Sequence, residues 1–181
     1  MPVILAIDTS LTGCGVCLYD SDKDIIIAHE QSLHDTRQAE ELAPMVERVW
    51  KDRTEIDHVA VTTGPGSFTG IRIGLSFAKT FAFGIGVPVI AVQSFDVARM
   101  MHGDDHIFLI DTKRGDFYRY KGDEGITISS HKDENAIEIS QFDLSAIARA
   151  SLKYPSQNAK PVYVREAEVS VSKTIPPQII A

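Results

Sequence analysis

Ile4 to Thr9 reads I-L-A-I-D-T, and Ile107 to Thr112 reads I-F-L-I-D-T. Each is a short apolar run that ends on Asp-Thr and leads through glycine into a second strand-like segment, Gly15 to Tyr19 in one case and Phe117 to Lys121 in the other. An internal repeat of this kind predicts duplicated lobes. Each lobe would deliver an aspartate to the mouth of a hairpin, and the two mouths would face each other across a cleft.

The segments around the repeat are consistent with an α/β chain of two lobes, 1–102 and a shortened 103–181. Ile25 to Glu30 reads as a third strand after the Asp20-Ser21-Asp22 turn. From Thr36 to Trp50, apolar residues recur at helical spacing, with acids early, Arg48 and Lys51 late, and Pro44 as an expected bend. A strand at Val59 to Thr63, a helix from about Thr69 to Gly84, a strand at Val87 to Val92 and a helix at Ser94 to Met101 complete the first half. Beyond Phe117 to Lys121, the second half offers a strand at Ile126 to Ser130, a helix near Phe142 to Leu152 and an extended piece at Val162 to Arg165. The Pro176-Pro177 tail is expected to fray. This arrangement resembles the actin, hexokinase and Hsp70 type of fold (ASKHA, ribonuclease H-like), with mixed sheets flanked by helices and the second lobe reduced.

Composition narrows the function classes. A chain of 181 residues, 44% hydrophobic, can bury a core without metal or disulfide help. Cys14 and Cys17 read as reduced packing residues on one strand with side chains on a common face, a geometry that closes no relaxed disulfide. The six histidines are scattered, so no metal site is expected. The apolar start lacks a basic flank and meets Asp8 at once, and no long apolar run follows, so a cytoplasmic protein without a membrane span is expected. A net charge of -7 argues against a chain that grips nucleic acid by itself.

Thr63 to Gly74, T-G-P-G-S-F-T-G-I-R-I-G, ends a strand, turns on glycine and proline and opens a helix. It is neither a Walker loop nor a dinucleotide fingerprint. Its chemistry suits an anion at the helix N-terminus or, as the better reading, a tight turn feeding a close-packed helix. Within that helix Gly70, Gly74, Ala78 and Ala82 form a row of small residues, a ridge that another helix can approach closely. Ile73, Phe77 and Phe81 form a second row and Ile71, Leu75 and Phe83 a third. One sheet cannot cover all of these, so helix 69–84 beside helix 36–50 predicts an apolar face for a protein partner, unless the second lobe covers it.

Asp8 and Asp111 are the obvious acids for phosphoryl transfer. Thr9, Ser10, Thr12, Gly13 and Gly15 partly suit a phosphate loop, whereas Lys113 and Arg114 beside the single Gly115 crowd the second hairpin. No third acid stands as an evident base. A vestigial phosphate or nucleotide cleft would comprise Asp8, Thr9, Ser10, Gly64, Gly66, Ser67 and Asp111. Direct catalysis, as an ATP-dependent phosphotransferase, is the alternative to a docking role.

With I-L-A-I-D-T-S at 4–10, T-G-P-G-S-F-T-G-I-R-I-G at 63–74, D-T-K-R-G-D-F-Y at 111–118 and K-P-V-Y-V-R at 160–165, the chain resembles the TsaB (YeaZ) family of glycoprotease-like proteins. The resemblance is dense over 3–120, returns at 160–165 and is weak between. It implies a non-catalytic subunit that supports TsaD, the catalytic relative, in placing threonylcarbamoyl on adenosine 37 of tRNA, with the ATPase TsaE as a further partner. It also implies a homodimer when TsaD is absent, tRNA contact only through the complex, and no cofactor except a possible nucleotide at the joint with TsaD. Peptidase activity is not expected, for nothing resembles a nucleophile with its base or a zinc motif. The resemblance places the TsaD-facing surface on helices 36–50 and 69–84. Leu42, Met45, Val46 and Val49 of the first, with Gly70, Gly74, Phe77, Ala78 and Phe81 of the second, are expected in or just beneath that surface.

The chain departs from the family pattern in three places. It ends earlier than is typical, which shortens the second lobe. His34-Asp35-Thr36-Arg37 rearranges the usual basic, histidine and hydroxyl set, and Asp116 stands where glutamate is usual.

Overall fold

β1 (Val3–Asp8) pairs antiparallel with β2 (Cys14–Asp20), which pairs antiparallel with β3 (Ile25–Ser32). The structure, a computed structural model, describes residues 2–34 and 36–165. Asp35 and the tail around Pro176 and Pro177 lie outside them. On its other side β1 pairs parallel with β4 (His58–Thr62), and β4 with β5 (Val89–Val92), giving the order β3-β2-β1-β4-β5. The second sheet repeats this plan. β6 (Phe108–Asp111) pairs antiparallel with β7 (Phe117–Lys121), β7 with β8 (Gly125–Ser129), and β6 pairs parallel with β9 (Ile137–Glu138), in the order β8-β7-β6-β9. A central strand with an antiparallel neighbour on one side and a parallel one on the other thus occurs twice. The fold is α/β and actin-like, with the second lobe reduced: among the described residues its sheet has four strands instead of five, and the short segment 130–136 joins β8 to β9.

Helices cover both faces of the first sheet. α1 (Gln38–Val49) turns Leu42, Met45, Val46 and Val49 inward, spaced by three or four residues, and continues through Pro44 on its exposed side. α2 (Phe68–Ile85) starts at Ser67, whose side chain accepts the Gly70 N–H, and stops at Gly86 in the left-handed region. Both helices lie on the side reached by Leu5 and Ile7 of β1. The opposite side, reached by Ile4 and Ala6, is covered by α3 (Ser94–His102) and α4 (Leu144–Lys153).

α4 belongs to the second half in sequence but packs on the first sheet, where Ile147 and Ala148 share one core with Ile4, Phe95, Phe108 and Ile110. The boundary at 102/103 therefore separates two copies of a plan without separating two cores. The cysteine reading needs correction. C-G-V-C spans three positions, and strand alternation sends the thiols to opposite faces: Cys14 to the α1 side, 3.7 Å from the Met45 sulfur, and Cys17 to the α4 side. Val162 to Arg165 forms no strand, although the Val162 N–H donates to Thr63 O at 2.8 Å.

Candidate functional site

Two features stand out: a cleft between the hairpin mouths and an outer helical face. The cleft has a volume of about 720 Å³. Ser10, Gly66, Ser67 and Asp111, all proposed from sequence, line it. Asp8, Thr9 and Gly64 are not among its lining residues. Asp8 is only 5% exposed, and its Oδ1 accepts from Ser10 N at 2.9 Å, Ser10 Oγ at 2.7 Å and Thr62 Oγ1 at 2.6 Å. Burial raises its carboxyl above the ordinary value, against the pull of those hydrogen bonds. Asp8 thus ties the end of β1 to the end of β4.

Thr9 is fully buried, and its hydroxyl donates to Gly70 O at 2.6 Å. A Cβ on Gly70 would lie 1.9 Å from Thr9 O, and one on Gly74 2.3 Å from Thr9 Oγ1. Gly70 and Gly74 of the small-residue ridge therefore face the end of β1, and Ala78 and Ala82 join the core on the same side of the sheet. The close approach that Gly70 and Gly74 permit is thus used inside the chain, so these two, expected in or just beneath a partner surface, are not at the surface themselves.

Asp111 closes the opposite mouth. Its Oδ1 accepts the Lys113 N–H at 2.7 Å, and its side chain is 38% exposed. Asp116 is held by the Thr112 hydroxyl and by Arg165, which keep its carboxyl below the usual range. Arg165 belongs to a strap, 159–165, that leads from α4 back across the first lobe. Ala159 sits in the core, Tyr163 Oη accepts from Arg72 Nε at 3.0 Å, and the Tyr163 ring lies 5.4 Å from that of Phe68. The K-P-V-Y-V-R segment carries no local sign of a place in the site, since only the chain's return across the cleft brings Tyr163 and Arg165 there. Among the described residues no group of three or more His, Cys, Asp or Glu could hold a metal ion, and no helix is long and apolar enough to cross a membrane. His34, before α1, places Nδ1 3.2 Å from Glu41 Oε1 and 3.1 Å from Ser32 Oγ.

On the outer face, seven of the nine expected partner-binding residues are buried within the chain: Leu42, Met45, Val46, Val49, Gly70, Gly74 and Ala78. Phe77 and Phe81 are half-buried and stack at 5.8 Å, and Trp50 meets Phe81 edge-on at 5.2 Å. Ala39, Ala43 and Pro44 of α1 are exposed. Among the described residues of the second half, α4 lies across the opposite side of the sheet, and the strap meets α2 at Phe68 and Arg72.

Residues 32–178 match the family described as TsaD, tRNA N6-adenosine threonylcarbamoyltransferase. The chain is 31% identical over 141 residues to the tRNA threonylcarbamoyladenosine biosynthesis protein TsaB of Bacillus subtilis, covering 74% of this chain and 62% of that protein. It is 33% identical over 132 residues to the TsaB of Escherichia coli, covering 67% of this chain and 56% of that one. The chain thus spans less than two thirds of these relatives' own length. In structure it is similar to YeaZ from Pseudomonas aeruginosa, with a TM-score of 0.67 at 19% identity over 90% of this chain and all of that one, which shows a shared fold. The chain belongs to the TsaD family of tRNA N6-adenosine threonylcarbamoyltransferase, and within that family it resembles the TsaB (YeaZ) proteins.

Proposed function

We propose that this chain is a non-catalytic subunit of a complex that installs threonylcarbamoyl on adenosine 37 of tRNA, and that it supports a TsaD homologue through the outer face of α1 and α2. The observation that carries the reading is the half-buried Phe77–Phe81 stack of α2, met edge-on by Trp50 at the end of α1, together with the exposure of Ala39, Ala43 and Pro44 on α1 among the described residues. Aromatic side chains next to small, uncharged ones suit the close approach of a partner helix. The seven buried members of the expected set pack on the inner sides of α1 and α2. In the same reading TsaE joins the pair, the chain forms a homodimer when TsaD is absent, and the site of action is the cytoplasm. The chain needs no cofactor of its own, and any nucleotide lodges at the joint with TsaD.

The enclosure of Asp8 supports the non-catalytic part. A phosphotransferase would need that carboxylate open to the cleft, yet its Oδ1 already accepts three hydrogen bonds inside the fold.

The test is co-elution of the full chain with a TsaD homologue on a sizing column, with Phe77→Glu and Phe81→Glu as variants. Pairing and the yield of modified adenosine should fall at least tenfold while circular dichroism is unchanged. Undiminished pairing in both variants refutes the docking face, and ATP-dependent phosphoryl transfer by the isolated chain refutes the non-catalytic role.

A further inference from the structure

We propose that the interlobe cleft receives an unpaired nucleotide of a single-stranded RNA, stacked at the Phe68–Tyr163 pair and held through its phosphate by Lys113. The proposal rests on the tRNA-modifying role above for the identity of its ligand, and on the cleft alone for its geometry.

The cleft mouth combines aromatic faces with cations. Phe68 and Tyr163 are large aromatic residues left 50% and 49% exposed, their rings 5.4 Å apart at 36°. The Arg72 guanidinium lies 3.7 Å from the Phe68 centroid and also binds the Tyr163 hydroxyl, which makes a three-member platform. Such platforms accept any base, because every base offers a π-face. Across the opening, Lys113 leaves 73% of its side chain in solvent.

The local charge runs against that of the chain. Arg72, Lys113, Arg114 and Arg165 line the cleft against Asp111 and Glu138, and with Asp116, the partner of Arg165, the local excess is one positive charge in a protein of net charge -7. Glu138 is further offset by Lys132 at 2.6 Å. An RNA strand repelled by the net negative charge of the chain would be drawn to this opening.

Size and shape select the ligand. A space of about 720 Å³ suits one nucleotide, since ligand sites run from roughly 300 to 1,000 Å³. Paired RNA keeps its base faces stacked, so only an unpaired nucleotide presents both a face and a phosphate. The hydroxyls of Ser10 and Ser67 also line the cleft and offer polar contacts to the sugar or base.

The experiment titrates the full chain into a fluorescein-labelled single-stranded oligoribonucleotide and follows anisotropy at several salt concentrations. Phe68→Ala should weaken binding about 5- to 100-fold. Lys113→Ala, at an exposed site that leaves folding unaffected, should flatten the slope of log affinity against log salt by about 0.7, the value of one phosphate contact on a single strand. A slope unchanged by Lys113→Ala overturns the proposal. So does duplex RNA that binds as tightly as the single strand, or free adenosine monophosphate that binds as tightly as the oligoribonucleotide. Phe81→Glu separates the two readings: pairing lost with RNA affinity intact supports both, whereas no RNA binding by a chain that still pairs sinks this one alone.

Discussion

Asp8 and Asp111 close the same turn at the ends of equivalent strands: each Oδ1 accepts the backbone N–H two residues on, at 2.9 and 2.7 Å. Their surroundings differ. Asp8 is enclosed by Ser10 and Thr62, whereas Asp111 meets solvent beside Lys113, 3.7 Å from its amine. The duplication has therefore kept the turn and divided the roles, one acid tying strands together and the other facing the cleft.

Asp8→Ala strands the Ser10 and Thr62 hydroxyls and the Ser10 N–H in a buried site, and should destabilise the fold by about 3 kcal/mol. Asp8→Asn retains an accepting oxygen and should cost less. Burial raises the folded pKa of Asp8, so the wild-type contribution is fully present below the unfolded value of 3.8 and is lost as pH rises through the folded value. The gap between wild type and Asp8→Asn should narrow over that range, as urea midpoints at successive pH values would show.

Gly74→Ala brings a Cβ to 2.3 Å from Thr9 Oγ1. It should destabilise by about 1 to 3 kcal/mol despite the better helix propensity of alanine. In a Thr9→Ala background, which removes that oxygen, most of the penalty should vanish. Gly70→Ala should not be rescued this way, because its obstacle is the Thr9 backbone oxygen. A double-mutant cycle by urea denaturation measures both couplings.

His58 is buried where β4 meets α4, its Nε2 2.8 Å from Ser151 Oγ, and burial lowers its pKa below 6.5. The unfolded chain takes up this proton first, so stability should fall as pH drops below 6.5, by at most about 1.4 kcal/mol per pH unit, until the folded value is passed. The matching slope should be absent in His58→Gln. Parallel stability curves from pH 8 to 5 would rule the effect out.

Burial pushes the Cys14 thiol up to about 11 and the Cys17 thiol up to about 12. Little thiolate exists at pH 8, and neither sulfur is accessible. Iodoacetamide should therefore leave the native chain unlabelled and modify both residues in denaturant, with mass spectrometry as the readout.

Sequence alone determined the two Asp-Thr hairpins and the G-P-G-S turn into α2. These depend on apolar runs and turn residues that act over a few neighbouring positions. It also showed which residues share a helix face, because the period of 3.6 is local. What each face meets was decided by tertiary structure. Gly70 and Gly74 face β1, α4 crosses onto the first lobe's sheet, and the strap carries Tyr163 to Phe68. The two-residue β9 had no pattern of its own and exists through its parallel partner β6. A ridge of small residues reads the same whether it approaches a strand of its own chain or a helix of another, and only packing between segments distant in sequence separates the two.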